Sequence, residues 1–131
     1  MENGRAVLSG PLSADHAQVL SGIHMQGDLS GNSPYFSLSD LAQHWPSTER
    51  GVRREVVLVT NGMDPFNPRY DGDDVYVDAA IADSARAGLV VYSIYWSSRN
   101  GTNASSLNGA SGQNYLAQLT QATGGYSYWY G

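Results

Sequence analysis

Apolar positions recur along this chain with two different periods, and the switches between them outline its elements. "RAVLSGPL" (5–12) has β-type residues but is short and bounded by Gly and Pro, which predicts an edge strand or a strand end. Ser13 is placed to cap a helix over roughly 14–25, with Ala17, Leu20 and His24 on one face. A polar loop follows. At Ser33-Pro34 a hydroxyl cap precedes a proline that needs no N–H in the first turn, so a helix starts there. Leu38, Leu41 and Trp45 form its inner stripe, and Pro46 stops it. "EVVLVT" (55–60) is apolar at consecutive positions, the pattern of a central parallel strand covered on both faces.

Beyond the loop 61–73, Asp73 or Asp74 caps a helix to about Ala87, and Gly88 suits its C-terminal turn. Val77, Ala80, Ile81 and Ser84 are its inner face. "LVVYSIYW" (89–96) reads as a second buried strand, and 97–112 as a long Ser/Gly/Asn loop. The last helix spans 113–123 with Tyr115, Leu116 and Leu119 inward, and "YSYWY" (126–130) ends the chain as a strand. Strand–helix alternation of this kind predicts the α/β class, a mostly parallel sheet flanked by helices. Ligands of such sheets sit beyond the carboxyl ends of the strands, where the loops 61–73 and 97–112 lie.

Composition narrows the function classes. With 131 residues the chain fits one domain with a real core. A net charge of -5 argues against a general nucleic-acid binder, which needs excess positive charge to displace counterions. No apolar run is long enough to span a membrane, so membrane insertion is not expected. The absence of cysteine excludes disulfides, thiolate metal sites and Cys nucleophiles. No basic-then-apolar leader opens the chain, so no signal peptide is expected in it.

Candidate chemistry is sparse. Asp71, Asp73 and Asp74 are closely spaced carboxylates, either a small Ca²⁺ loop or a solvated loop ending in a helix cap. Asn61-Gly62 is either a metal loop or a turn, since both residues accept left-handed backbone angles. Tyr126, Tyr128, Trp129 and Tyr130 are either an exposed partner-binding surface or a strand packed under a helix. His16, His24 and His44 have no metal-ligand spacing, and no nucleophile elbow, P-loop or dinucleotide fingerprint occurs.

"VVLVTNGMD", "VDAAIADSARAGLVVYSIYW" and "YLAQLTQATGGYSYW", in that order, resemble the later half of a von Willebrand factor A-type domain of the bacterial kind. "GNSPYFSLSDL" is similar to the segment where that family places a metal-contacting Thr at the head of a helix. The resemblance covers about 28–131 and implies an incomplete Rossmann-like fold, one domain over 1–131 lacking the N-terminal strand–helix–strand part. It implies a non-catalytic protein-binding or adhesion-type module and favours an extracytoplasmic location. The family's ion site would map to Ser33, Asn61 and Asp64, but the D-x-S-x-S run is missing and Asn61 stands where the family has Asp. The site is thus expected to be degenerate, with no cofactor beyond weak Mg²⁺ or Ca²⁺. "DLSGNS" (Asp28, Ser30, Ser33) breaks the D-x-S-x-S pattern at Asn32 and reads as loop.

Two other readings stand beside this one. If the family's central strand is missing, "EVVLVT" keeps an open flank, and a homodimer or domain swap would complete the sheet. An enzyme would need Asp64 or Asp71 to meet His44, which nothing in the sequence arranges.

Overall fold

The computed structural model describes residues 5–23, 32–67, 73–96 and 104–130, without the side chains of residues 104–109 and 130. Its elements run α1 (His16–Ser21), α2 (Pro34–Gln43), β1 (Arg54–Thr60), α3 (Val75–Ala87), β2 (Leu89–Trp96), α4 (Ala104–Thr123) and β3 (Ser127–Tyr130). The strands form a three-stranded parallel sheet in the order β1-β2-β3. The chain is therefore α/β, with helices packed on a small parallel sheet.

Strand order following chain order has a physical consequence. Two parallel crossovers of the same hand, advancing in one direction, put both connecting helices on one side of the sheet. The buried residues obey this. Tyr35, Leu38 and Ala42 of α2, Val77 and Ala80 of α3, and Tyr115, Leu116 and Leu119 of α4 meet Leu89, Val91 and Tyr95 of β2 in one core. Register sets Arg54, Val56, Leu58 and Thr60 beside Leu89, Val91, Ser93 and Tyr95, so those side chains share the helical face. The opposite face carries Val57, Val59, Val90, Tyr92, Ile94, Trp96 and Tyr128, and no described helix covers it. Val57 is 61% exposed, Val59 63% and Trp96 56%.

Several expectations need correction. "EVVLVT" is not a central strand covered on both faces: β1 lies at a sheet edge, β2 is central, and burial alternates along β1. Its consecutive apolar residues gave the sequence no way to tell an uncovered apolar face from a buried one. Residues 5–12 form no strand beyond a single β-bridge at Arg5; the Ala6 amide donates to the Asp40 carboxylate at 3.1 Å, laying this segment along α2. α1 spans His16–Ser21 and is capped by Asp15, not Ser13, and buries none of its residues. Residues 104–112, expected as loop, are the first half of α4. Low intrinsic helix propensity there is overridden by docking, since Gly112 lies against Asn61 and Gly62.

Elsewhere the local signals act as read. Ser33 accepts the Phe36 amide at 3.1 Å, with Pro34 in the first turn of α2. Asp74 caps α3, and Gly88 ends it at φ 66. One buried polar group was not expected. Asp83 of α3 accepts from the Ser39 hydroxyl, from Gln43 Nε2 at 2.7 Å and from Arg86 at 2.5 Å, tying α3 to α2. Those bonds, the Ser39 hydroxyl first, hold its carboxyl below the usual range.

A depressed carboxylate stabilises the fold at neutral pH, and that contribution is lost as pH falls through the folded-state value. Urea unfolding of the wild type is thus expected to weaken below about pH 4 more steeply than that of Asp83→Asn. Matching pH slopes would count against the role given to Asp83. Arg86→Ala is expected to cost less than about 1 kcal/mol, since that guanidinium is largely solvated.

Candidate functional site

Three helix and loop starts converge beyond the carboxyl end of β1. Each is closed by a short polar side chain that accepts a main-chain amide two or three residues on. Ser33 takes Phe36 N–H at 3.1 Å, Asp64 takes Phe66 N–H at 2.9 Å, and Asp74 takes Tyr76 N–H at 2.9 Å. The residue donating each amide is aromatic, and the three rings meet. Centroid separations are 5.8 Å for Phe36–Phe66, 6.1 Å for Phe36–Tyr76 and 5.3 Å for Phe66–Tyr76. One aromatic cluster therefore fixes three caps next to one another.

All three cap residues are buried: Ser33 and Asp64 are 0% exposed and Asp74 is 2% exposed. Each carboxylate spends Oδ1 on its own loop. Asp64 Oδ2 and Asp74 Oδ2 are buried without a hydrogen-bond partner. Burial pushes the Asp64 carboxyl up, the Phe66 amide and Ser33 hydroxyl oppose that rise, and the charge of Asp74 adds to it. Tyr35, fully buried beneath the site, donates its hydroxyl to Gly62 O at 2.7 Å. Its phenol is pushed far up, by burial first and then by the negative charges of Asp64 and Asp74.

Of the residues expected in an ion site, the fold joins Ser33 to Asp64 and leaves Asn61 outside. Asn61 is exposed, and its side-chain oxygen accepts the Met63 amide at 3.1 Å, an Asx turn. Gly62 follows at φ 71, tight against Gly112 of α4. The expected Ca²⁺ loop divides. Asp74 turns inward to Asp64, Asp73 is exposed, and Asp71 lies outside the described residues. Asp28 and Ser30 also lie outside them. His44 caps the C-terminal end of α2 while Ser33 caps its N-terminal end, so about 15 Å of helix separates His44 from the carboxylates. That distance removes His44 as a base for Asp64.

Among the described residues no three His, Cys, Asp or Glu side chains gather. Asp74 is a buried carboxylate whose charge acts on Asp64, whereas the Asn61 side chain is exposed and neutral. Sequence reasoning missed Tyr35 and the pairing of Asp64 with Asp74. The legible signal was a repeated one, a cap residue followed by an aromatic at Ser33-x-x-Phe36, Asp64-x-Phe66 and Asp74-x-Tyr76.

A second surface involves the C-terminal aromatics. Tyr126 and Tyr128 lie on the uncovered side of the sheet with rings 5.1 Å apart, 60% and 55% exposed. Trp129 points to the helical side and meets Tyr95 at 5.7 Å. The side chain of Tyr130 lies outside the described residues. The β1 edge adjoins a cleft of about 420 Å³ walled by Ala6, Val7 and Leu8, by α2, and by Val56 and Leu58. Among the described residues no helix is long and apolar enough to cross a membrane.

No protein-family model matches this chain, and no curated protein or solved structure matches it either.

Proposed function

We propose that the chain is a non-catalytic protein-binding module with an incomplete von Willebrand factor A-type arrangement, and that it works by adding a strand to its open sheet. The observation that carries this reading is the apolar β1 edge joined to the uncovered sheet face. β1 is a 7-residue strand without Pro or Lys, the residues that usually blunt an edge. Its neighbour on the helical side is the cleft beside Val56 and Leu58, which offers room for inward side chains of an added strand. The strand–helix order and the motif resemblance support the family assignment.

The occupant argued from the chain itself is a second copy. Antiparallel pairing of two β1 strands about Val57 sets Glu55 opposite Val59, Val56 opposite Leu58 and Arg54 opposite Thr60. No like charges face one another directly, and the contact is self-complementary, as a twofold interface requires. Glu55 is already neutralised by Arg53 at 2.7 Å in its own chain.

Light scattering across a concentration series tests this. The wild type is expected to form a dimer, while Val57→Arg, which faces its own copy, and Val59→Glu, which faces Glu55, stay monomeric; both positions are exposed, so the core is left intact. Amide exchange along β1 should slow in the dimer. A wild type that remains monomeric throughout, or charge variants at Val57 and Val59 that dimerise equally well, would rule out this occupant.

A further inference from the structure

We propose that the cleft between β1, α2 and residues 6–8 is a binding site for a small apolar amine, whose ammonium group is held by Asp40. This goes beyond the sheet-edge reading and does not depend on it. The cleft encloses about 420 Å³, within the range of roughly 300–1,000 Å³ usual for small-molecule sites. Val7, Leu8, Leu38, Leu41, Val56 and Leu58 wall it from three separate parts of the chain. Such a surface suits a hydrocarbon body, which leaves water on entering.

Charge selects the head group. Among the described residues lining the cleft, Asp40 is the one acidic side chain, and no Lys or Arg joins it. The contact that builds the third wall also holds Asp40 in place, since its Oδ2 accepts the Ala6 amide at 3.1 Å. That bond uses one of about four acceptor positions on a carboxylate. His44 Nδ1 stands 3.3 Å from Oδ1, but it also lies 3.0 Å from the Asp40 carbonyl oxygen, and its side chain is 73% exposed. Asp40 therefore keeps acceptor capacity at the margin of an apolar space, with its own side chain only 21% exposed. A carboxylate partly shielded from water attracts a cation more strongly than a fully solvated one. An ammonium brings three donors and no acceptor, whereas an anionic head would meet Asp40 with like charge.

Octylamine is the probe, with octanol and octanoate as neutral and anionic counterparts of the same chain length. Each is titrated into the full chain at neutral pH, followed by calorimetry and by the amide resonances of the nitrogen-labelled protein. Octylamine is expected to bind about tenfold more tightly than octanol, the size of one hydrogen bond to a charged group, with octanoate weakest. Resonances of Leu41, Val56 and Leu58 should shift. Asp40→Asn keeps an oxygen for the Ala6 amide and is expected to bring octylamine down to the affinity of octanol. Asp78→Asn removes the same charge from an exposed position on α3 and should keep the tenfold preference.

Equal binding of octylamine and octanol by the wild type overturns the proposal, as do shifts that miss Leu41, Val56 and Leu58. So does an unchanged preference in Asp40→Asn. If that variant does not fold, the wild-type ranking and the location of the shifts decide. Val57→Arg, altered on the uncovered face, should bind octylamine at least as tightly as the wild type. A monomeric wild type that binds the amine removes the second-copy reading alone, and a dimeric wild type whose monomeric Val57→Arg variant ignores the amine removes this proposal alone.

Discussion

Gly125→Ala is expected to leave a chain without its native third strand. A methyl group at this position would sit 1.8 Å from the carbonyl oxygen of Val91 and 2.6 Å from its carbonyl carbon. Those are main-chain atoms of the central strand, so no rotamer change relieves the overlap. The surrounding bonds leave little slack. The Gly125 amide donates to Thr120 O at 2.8 Å, the Thr123 hydroxyl accepts Val91 N–H at 3.1 Å, and Ser93 N–H reaches Tyr126 O at 3.0 Å. Relief requires β3 to move off β2, which also opens the buried Ser93–Ser127 hydroxyl pair. Circular dichroism and urea unfolding should show a destabilisation of more than about 4 kcal/mol, at the upper end for single substitutions. A variant as stable as the wild type would mean that α4 does not enter β3 in this way.

The second large effect contrasts the two sides of the sheet. Leu116 is fully buried on the inner face of α4, and Leu116→Ala is expected to cost about 2–5 kcal/mol through lost transfer energy and the cavity left behind. Val59, of comparable character on the opposite face, is 63% exposed. Val59→Ala should cost less than about 1 kcal/mol when the chain is held monomeric by dilution. Denaturation midpoints of the two variants measure the asymmetry directly. Equal costs would mean that the sheet is covered on both sides.

These contrasts mark where the sequence was legible. Ser33-Pro34, Asp74 and Gly88 announce their helix ends because capping and left-handed turns depend on a few neighbouring residues. The strand–helix alternation beyond Glu55 likewise gives the parallel sheet, since a parallel pair needs a crossover. Layering was less legible. A run such as Val56-Val57-Leu58-Val59 has the same composition whether its second face meets a helix or nothing at all. The start of α4 was hidden for a related reason, because Ser, Asn and Gly favour loops unless a tertiary contact holds them. Gly112 supplies that contact by letting the helix approach Asn61 and Gly62.

The candidate site was half visible. Ser33 and Asp64 could be placed from the resemblance, whereas the inward turn of Asp74 depends on ring packing among Phe36, Phe66 and Tyr76. No local rule links three aromatics drawn from three separate segments. The same packing explains why Asp73 and Asp74, adjacent in the chain, end in solvent and in the interior respectively.

One-sided layering sets how ionic strength should act on this molecule. Copies carrying a charge of -5 repel one another at low salt, while the bare valine and aromatic surface favours their contact. Added electrolyte shortens the range of the repulsion to about 8 Å at physiological strength and leaves the apolar attraction in place. Self-association should therefore strengthen on going from dilute buffer to moderate NaCl, and further still in sulfate.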